Sequence, residues 1–188
     1  MGAIGKTLIM VKERSREVLD IQLMPMRRRH IPAVLRIEGR VYPRPWSAGL
    51  FLSELAQKAS RAYVVARHDG KVVGYAGVMI LGDEGHVTNV AVDPDYHRNR
   101  VGTRLLLRLI DESRGRGVRS MTLEVRRANS GAQTMYRKFG FQTVGVRRGY
   151  YVETGEDAYI MWAEGVWTED YARRLDGIRA EMTPGTKE

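Results

Sequence analysis

Residues 87–102 read VTNVAVDPDYHRNRVG, an apolar run followed by a turn and a basic loop. The β-branched residues of VTNVAV are typical of a buried strand. The DPD turn at residues 93–95 ends that strand, because proline cannot extend a ladder and aspartate bonds its own backbone. The segment therefore predicts a strand, a turn and a helix over Thr103–Arg116.

The basic loop precedes this helix with His97, Arg98, Asn99 and Arg100, and Gly102 follows. The first N–H groups of a helix lack intrahelical partners and lie at the positive end of its dipole. Together with two arginines they suit a multiply charged anion such as a pyrophosphate. An ordinary strand–turn–helix with a solvated basic start explains the segment alone equally well.

The residues that follow predict a second strand and a capped helix. SMTLEV at Ser120–Val125 forms a second apolar run, and Asn129 is a good N-cap residue. Gly140 suits the left-handed position that ends a helix. One apolar face at helical spacing is predicted from Ala132, Met135, Tyr136 and Phe139. Strand, helix, strand and helix make an α/β pattern.

The remaining pattern predicts one central domain over residues 21–165. It is preceded by a basic, flexible extension over residues 1–20 and followed by a helical tail over residues 166–188. The Asp69-Gly70 pair is a strong hairpin signal. The other predicted strands are Ile21–Met24, Ala62–Arg67, Val72–Leu81, His86–Val92, Phe141–Arg148 and Asp157–Trp162, and the other helices are Ile31–Arg40, Ser47–Ala59 and Thr168–Glu181.

Composition narrows the function classes. The chain has 188 residues, 43% of them hydrophobic, which is enough for one real core. The absence of cysteine excludes disulfides, thiolate metal sites and a cysteine acyl-enzyme. No apolar run is long enough to span a membrane, so we expect a cytoplasmic protein without a membrane partner. A formal charge of +9 favours an anionic partner such as RNA or a ribosome surface, or simply a solvated basic face.

Three motifs carry a family resemblance: DPDYHRNRVG, LEVRRANSGAQTMYRKFGF and RRGYYVETGEDAYIM. They resemble the acyl-CoA-binding and C-terminal motifs of GNAT acetyltransferases, and more narrowly the RimI-type enzymes that acetylate the N-terminal alanine of a ribosomal protein. YPRPWS at Tyr42–Ser47 is similar to the loop between the first two helices of that subfamily. The resemblance implies the GNAT fold, a mixed, mostly antiparallel sheet of six to seven strands with helices on both faces.

The resemblance implies acetyl-CoA as co-substrate and no metal. His97 and Arg100 depart from the family loop, since Arg100 takes the place of its first glycine. An arginine held at positive φ costs on the order of 1 kcal/mol, and we expect its side chain to cover the phosphates or point to solvent. The cofactor-binding residues implied are Val90, Ala91, Val92, Arg98, Asn99, Arg100, Val101, Gly102, Thr103, Asn129 and Tyr136. Strand amides near Val92, freed by a bulge, would stabilise the oxyanion.

Glu124 is the candidate general base. It faces away from Met121, Leu123 and Val125 by the two-residue strand period. A carboxylate in a buried strand usually has a raised pKa, which suits a base, although an ion pair with a nearby arginine, such as Arg126 or Arg127, fits the sequence equally well.

The family implies the base for Glu124 and the general acid that protonates the CoA thiolate for Tyr136. From the residues alone, Tyr136 is interpreted as an ordinary core tyrosine and Asn129 as a helix N-cap without a further role. His86 starts the central strand as either a structural histidine or a catalytic helper. The remaining histidines lack partners at ligand spacing, so we expect no metal site.

The substrate side rests on the resemblance. Tyr150 and Tyr151 stand where the family covers a peptide N-terminus, and Tyr42 with Trp46 would form the opposite wall. A half-buried strand edge explains the tyrosine pair as well. Two other functions remain open: a GNAT enzyme acting on a small amine, and a basic ribosome- or RNA-binding domain without catalysis.

Overall fold

The structure is a computed structural model that describes residues 19–182. The extension predicted for residues 1–20 therefore lies outside the described residues, except for its last two. The strands are β1 (Gln22–Pro25), β2 (Arg61–His68), β3 (Lys71–Leu81), β4 (Glu84–Val92), β5 (Ser120–Arg126), β6 (Gln142–Tyr151) and β7 (Glu156–Glu164). The helices are α1 (Ile31–Val41), α2 (Ala48–Ala56), α3 (Val101–Gly115), α4 (Ser130–Lys138) and α5 (Glu169–Met182).

The strands form one seven-stranded sheet in the order β1-β2-β3-β4-β5-β7-β6. Every neighbouring pair is antiparallel except β4 and β5, which run parallel and are joined through α3. This confirms the predicted mixed, mostly antiparallel sheet.

Helices cover both faces of the sheet, and successive side chains of β2 point into the two cores that result. Val64 packs into the core that includes residues of α3, α4 and α5. Val65, the next residue, packs into the core that includes Val34 of α1 and Phe51 of α2. The chain therefore buries apolar side chains on both sides of one sheet.

The predicted turn and cap residues adopt the expected geometry. Asp69 and Gly70 have φ values of 46° and 76°, as the tight β2–β3 turn requires. The Asn129 side chain accepts the Ala132 N–H at 3.0 Å and caps α4. Gly140 ends the same helix with φ 87°. These local predictions are confirmed.

The predicted C-terminal helix packs against the sheet domain. Its helical spacing buries Tyr171, Leu175 and Ile178 in the same core as α3 and α4. The Tyr171 hydroxyl donates to the Phe139 carbonyl oxygen at 2.5 Å, which ties α5 to the end of α4. Helix α5 is therefore held by burial as well as by hydrogen bonding, and residues 183–188 of the predicted tail lie outside the described residues. No described helix is long and apolar enough to cross a membrane.

Candidate active site

The candidate site lies where β4 and β5 separate. The two strands pair over only three residues each, ending at His86 and Thr122. A register shift against β3 places Thr88 as a bulge in β4 immediately beyond this point. The separation leaves a cleft of about 750 Å³, which extends from the start of α3 to the β6–β7 hairpin.

Strand geometry leaves backbone donors on the wall of this cleft. The Asp93 N–H donates to Val73 of β3 at 2.9 Å. Since successive N–H groups of a strand point to opposite sides, those of Val92 and Val90 point toward the side that β5 has left. The expected bulge is present, at Thr88 rather than beside Val92, and the separation of the strands leaves these amides unpaired by β5.

The basic loop and the first turn of α3 form one end of the cleft. Arg98, Arg100, Val101, Gly102 and Thr103 all line it. The amides of the first helical turn have no intrahelical acceptors, so they add to the positive charge of Arg98. This donor set fits the pyrophosphate of an acyl-CoA. Of the predicted cofactor residues, those of β4, Asn129 and Tyr136 also line the cleft.

Two loop side chains, those of Asn99 and Arg100, make contacts that the sequence did not indicate. Asn99 does not line the cleft; its amide donates to the carbonyl oxygens of Tyr96 and His97 at 3.3 and 3.1 Å. Arg100 has φ 58°, so the positive φ is present. Its guanidinium donates to the Glu181 carbonyl oxygen of α5, while the residue stays exposed to solvent. The sequence did not indicate this contact with α5.

Glu124 projects from β5 at the point of strand separation, between two basic side chains. Its Oε2 lies 2.9 Å from Nε2 of His86, and its Oε1 accepts from Nη1 of Arg147 at 2.9 Å. The His86 hydrogen bond, with help from the charge of Arg147, holds the pKa of Glu124 below its ordinary value despite partial burial. The expected raised pKa is wrong, because these partners favour the ionised carboxylate.

The arginines expected as alternative partners of Glu124 have other contacts. Arg126 forms ion pairs with Glu153 at 3.2 Å and Glu156 at 3.1 Å, while Arg127 lies 3.7 Å from Asp157. Glu124 is therefore an ion-paired carboxylate, with a partner from the distant strand β6 that local sequence did not indicate. Each carboxylate oxygen keeps a second lone pair, so the pairing leaves it able to accept a proton.

Tyr136 lies on α4 across the cleft from these strands. Its ring packs edge-on against Phe141, with centroids 5.9 Å apart, and only 7% of the residue is exposed. Burial raises the pKa of Tyr136, with a smaller contribution from the Tyr151 hydroxyl. The phenol is therefore protonated at neutral pH, as a proton donor must be.

Four aromatic residues predicted for substrate binding line the other end of the cleft: Tyr42, Trp46, Tyr150 and Tyr151. Tyr150 and Tyr151 meet edge-on, with centroids 5.1 Å apart. Burial raises the pKa of Tyr42, to which Tyr136 and Tyr151 add, so these three phenols lie within electrostatic reach of one another. Burial also raises the pKa of Tyr151 to about 12.

Arg126 fixes the position of the hairpin that carries this tyrosine pair. Its guanidinium lies 3.7 Å from the ring centroid of Tyr151. Its ion pairs with Glu153 and Glu156 reach both sides of the β6–β7 turn. Glu156 also accepts the Ala128 N–H at 2.9 Å. The hairpin is thereby fastened to the end of β5, beside the candidate base.

Glu38 is a site residue that the sequence analysis missed. It has no exposed surface, and its Oε2 accepts the Trp46 N–H at 2.6 Å while its Oε1 accepts the Tyr75 hydroxyl. Burial raises the pKa of Glu38, and the Trp46 hydrogen bond opposes that rise. The carboxyl group thus holds the Tyr42–Trp46 wall against the sheet. The available signal was a carboxylate four residues after Val34, on the apolar face of α1.

No cluster of histidine and carboxylate side chains within residues 19–182 could hold a metal ion. The cleft brings together a cationic loop, free strand amides, a carboxylate and a buried phenol. This set can bind an acylated pyrophosphate compound, polarise its carbonyl group and move protons to and from the reacting atoms.

Comparison with known proteins agrees with an acyl-transfer site. Residues 31–141 match the model of the acetyltransferase (GNAT) family. The ribosomal protein bS18-alanine N-acetyltransferase of Escherichia coli is 39% identical over 133 residues, or 70% of this chain and 88% of that protein. The chain belongs to the GNAT acetyltransferase family.

Two further comparisons extend this relation. The N-alpha-acetyltransferase RimI of Mycobacterium tuberculosis is 46% identical over 121 residues, which is 62% of this chain and 74% of that protein. The crystal structure of the E. coli ribosomal-protein-S18-alanine N-acetyltransferase superposes with a TM-score of 0.70 at 35% identity, covering 77% of this chain and 94% of that one.

The buried carboxyl group of Glu38 generates a prediction about stability. Because burial raises the pKa of Glu38 above its ordinary 4.5, the folded chain binds more protons at this site than the unfolded chain. The stability of the wild type relative to Glu38→Gln should therefore be greatest below pH 4.5 and decline as the pH rises through the folded-state pKa. Urea unfolding of both proteins at a series of pH values measures this difference.

Tyr75→Phe is the matched control for Glu38→Gln. It removes a hydrogen bond to the carboxyl group but leaves the titrating group in place. Its stability relative to Glu38→Gln should retain the decline with pH. A wild-type advantage over Glu38→Gln that stays constant from acid to neutral pH would contradict the assignment.

Proposed function

We propose that this protein transfers the acetyl group of acetyl-CoA to the N-terminal α-amino group of a protein whose first residue is alanine. The main support is the placement of Glu124 and Tyr136 on elements that flank the cleft. A ribosomal protein is the substrate class in the name of the E. coli relative. A small amine would not require the aromatic walls at Tyr42–Trp46 and Tyr150–Tyr151.

The cleft provides for acetyl-CoA at its cationic end. The amides at the start of α3, together with Arg98, hold the pyrophosphate, while Asn129, the N-cap of α4, lines the same cleft as Tyr136. The Val90 and Val92 amides of β4 donate to the thioester oxygen as it gains negative charge. Such fixed donors stabilise a tetrahedral oxyanion without reorganising solvent.

Glu124 removes a proton as the amine attacks. An α-amino group has a pKa near ~8, so a sizeable minority is already neutral at pH 7 and a weak base suffices. The nitrogen attacks the thioester carbon, forming the C–N bond. The ionised carboxylate of Glu124 accepts the proton, and His86 holds that carboxylate at the mouth of the strand opening.

Tyr136 completes the reaction. When the tetrahedral intermediate collapses, the C–S bond breaks and its electron pair goes to sulfur. The Tyr136 phenol donates the proton that makes the CoA thiol. The amine proton held by Glu124 returns through solvent to the phenolate, so the products are the acetylated N-terminus, free CoA and the original enzyme.

The base assignment predicts a pH-dependent defect. Glu124→Gln should lower kcat by about 10²-fold at neutral pH, since general base catalysis contributes that much or more. The defect should shrink as pH rises, because more of the amine is then neutral. Glu112→Gln, which alters an ion-paired glutamate of α3 outside the cleft, is the control. A defect of equal size at every pH would exclude Glu124 as the base.

The acid assignment predicts a defect with a different pH profile. Burial raises the pKa of Tyr136, so its phenol is protonated throughout the neutral range. Tyr136→Phe should therefore lower kcat by about 10²-fold at all neutral and mildly alkaline pH values. The affinity for CoA should hardly change. Tyr159→Phe, outside the cleft lining, serves as control; wild-type turnover by Tyr136→Phe would refute the assignment.

The peptide assignment predicts dependence on residues beyond the first. A hexapeptide beginning with alanine should have a far higher kcat/KM than free alanine, because remote contacts position the amine for attack. Tyr150→Ala should cost roughly 1–3 kcal/mol in peptide kcat/KM, as expected for lost buried hydrogen bonds, without altering CoA affinity. Mass spectrometry of the acetylated products over time measures kcat/KM for each substrate and variant, and isothermal titration measures the CoA affinity.

Two outcomes of the peptide experiment favour other functions. Equal rates on free alanine and on the hexapeptide would indicate a small-amine acetyltransferase. Binding of RNA without acetylation of any amine would indicate a non-catalytic nucleic-acid-binding domain. A lysine-containing peptide with a blocked N-terminus separates α-amino from side-chain acetylation.

A further inference from the structure

Arg100 adopts a backbone conformation that arginine disfavours. It has φ 58° and ψ 16°, and it immediately precedes the first residue of α3 as its N-cap. Its side chain makes no capping hydrogen bond to this helix. For a residue with a Cβ atom, the left-handed region costs on the order of 1 kcal/mol, a strain that persists only when the surroundings enforce it.

The Arg100 side chain contacts the C-terminal helix. Nη1 of Arg100 donates to the backbone carbonyl oxygen of Glu181, in the last turn of α5. Carbonyl groups in the last turn of a helix lack intrahelical donors and carry partial negative charge, so they are good acceptors for a guanidinium. The Glu181 carboxylate in turn accepts from Lys138 of α4 at 2.9 Å.

Helix α5 is anchored well enough to serve as a fixed support. Tyr171, Leu175 and Ile178 are each at most 6% exposed. Arg179 forms an ion pair with Asp111 of α3 at 2.6 Å. The helix thus contacts both α3 and α4, and its last turn lies beside the loop that starts the phosphate end of the cleft.

We propose that α5 holds Arg100 as a positioning residue and so maintains the loop conformation that directs the first amides of α3 at the CoA phosphates. This inference rests on the proposed function, because it concerns the same acetyl-CoA site. The C-terminal helix supplies through a side-chain contact what glycine would supply by its conformational freedom. Arg100 acts through the backbone and need not touch the phosphates.

A series of substitutions separates this role from direct phosphate binding. Isothermal titration of CoA gives the Kd for the wild type, Arg100→Gly, Arg100→Lys and Arg100→Ala. Glycine adopts positive φ freely, so Arg100→Gly should stay within about twofold of the wild type. Arg100→Ala keeps the strain without the anchor, and its Kd should rise about fivefold, with Arg100→Lys between.

Deletion of residues 181–188 tests the other partner. This variant keeps the three buried side chains of α5 and the Arg179–Asp111 ion pair but removes the Glu181 carbonyl group. Its Kd for CoA should rise about fivefold in the wild-type background and hardly at all in Arg100→Gly, because glycine no longer needs the anchor. Lys138→Ala, which removes only the side-chain contact of Glu181, is the matched control and should stay within about twofold.

Other outcomes would overturn the inference. An Arg100→Gly variant as weak as Arg100→Ala, with a defect that shrinks at high salt, would show that the guanidinium binds phosphate directly. An equal effect of the deletion in both backgrounds would show that α5 acts without Arg100. If the deletion variant fails to fold, the order of the Kd values for CoA among the Arg100 variants still tests the inference, because a Kd for Arg100→Gly as high as that for Arg100→Ala would contradict it. Absence of CoA binding by the wild type would overturn the proposed function as well.

Discussion

The short parallel pairing of β4 and β5 is the constraint on which the rest of the site depends. Only three residues of each strand pair, and the two strands then separate. The separation leaves the Val90 and Val92 amides without strand partners and opens space for a ligand between two elements of one sheet. It also brings His86 and Glu124 together where the two strands begin to separate, since each lies near the last paired position of its strand.

Two carboxyl groups at this cleft have opposite electrostatic surroundings and separate duties. Glu124 lies between His86 and Arg147, which lower its pKa and keep it ionised. Glu38 is buried without a cationic partner, so its pKa is raised, and it bonds to Trp46 and Tyr75. Glu124 is the group proposed for proton transfer, while Glu38 bonds to the aromatic wall of the cleft. The opposite pKa shifts of the two groups follow from their different surroundings.

Local sequence signals predicted the positions of strands, helices, turns and caps because these elements obey local rules, while the mixed sheet was expected from the family resemblance. The DG turn, the Asn129 cap and Gly140 each depend on residues within one turn of themselves. The strand pattern also placed Glu124 on the correct face. Its partner Arg147 could not be predicted, because the contact joins β5 to β6, strands that are not neighbours in the sheet. The raised pKa expected for Glu124 was wrong chiefly because His86 of the neighbouring strand β4 hydrogen-bonds its carboxylate, and Arg147 adds to that effect.

Arg100 shows the limit of reading a motif in isolation. Within the loop, an arginine where the resembling family has a glycine looks like damage to an anion site, because the Arg100 side chain caps no amide of α3. The relevant partner lies 81 residues away, on a helix that begins at Glu169, beyond the family-matched residues 31–141. In the proposed arrangement, a departure from a family motif is offset by a segment beyond the family-matched residues. Whether a loop can hold its conformation is a property of the whole fold. The arginine at position 100 and the C-terminal helix that it contacts must therefore be considered together.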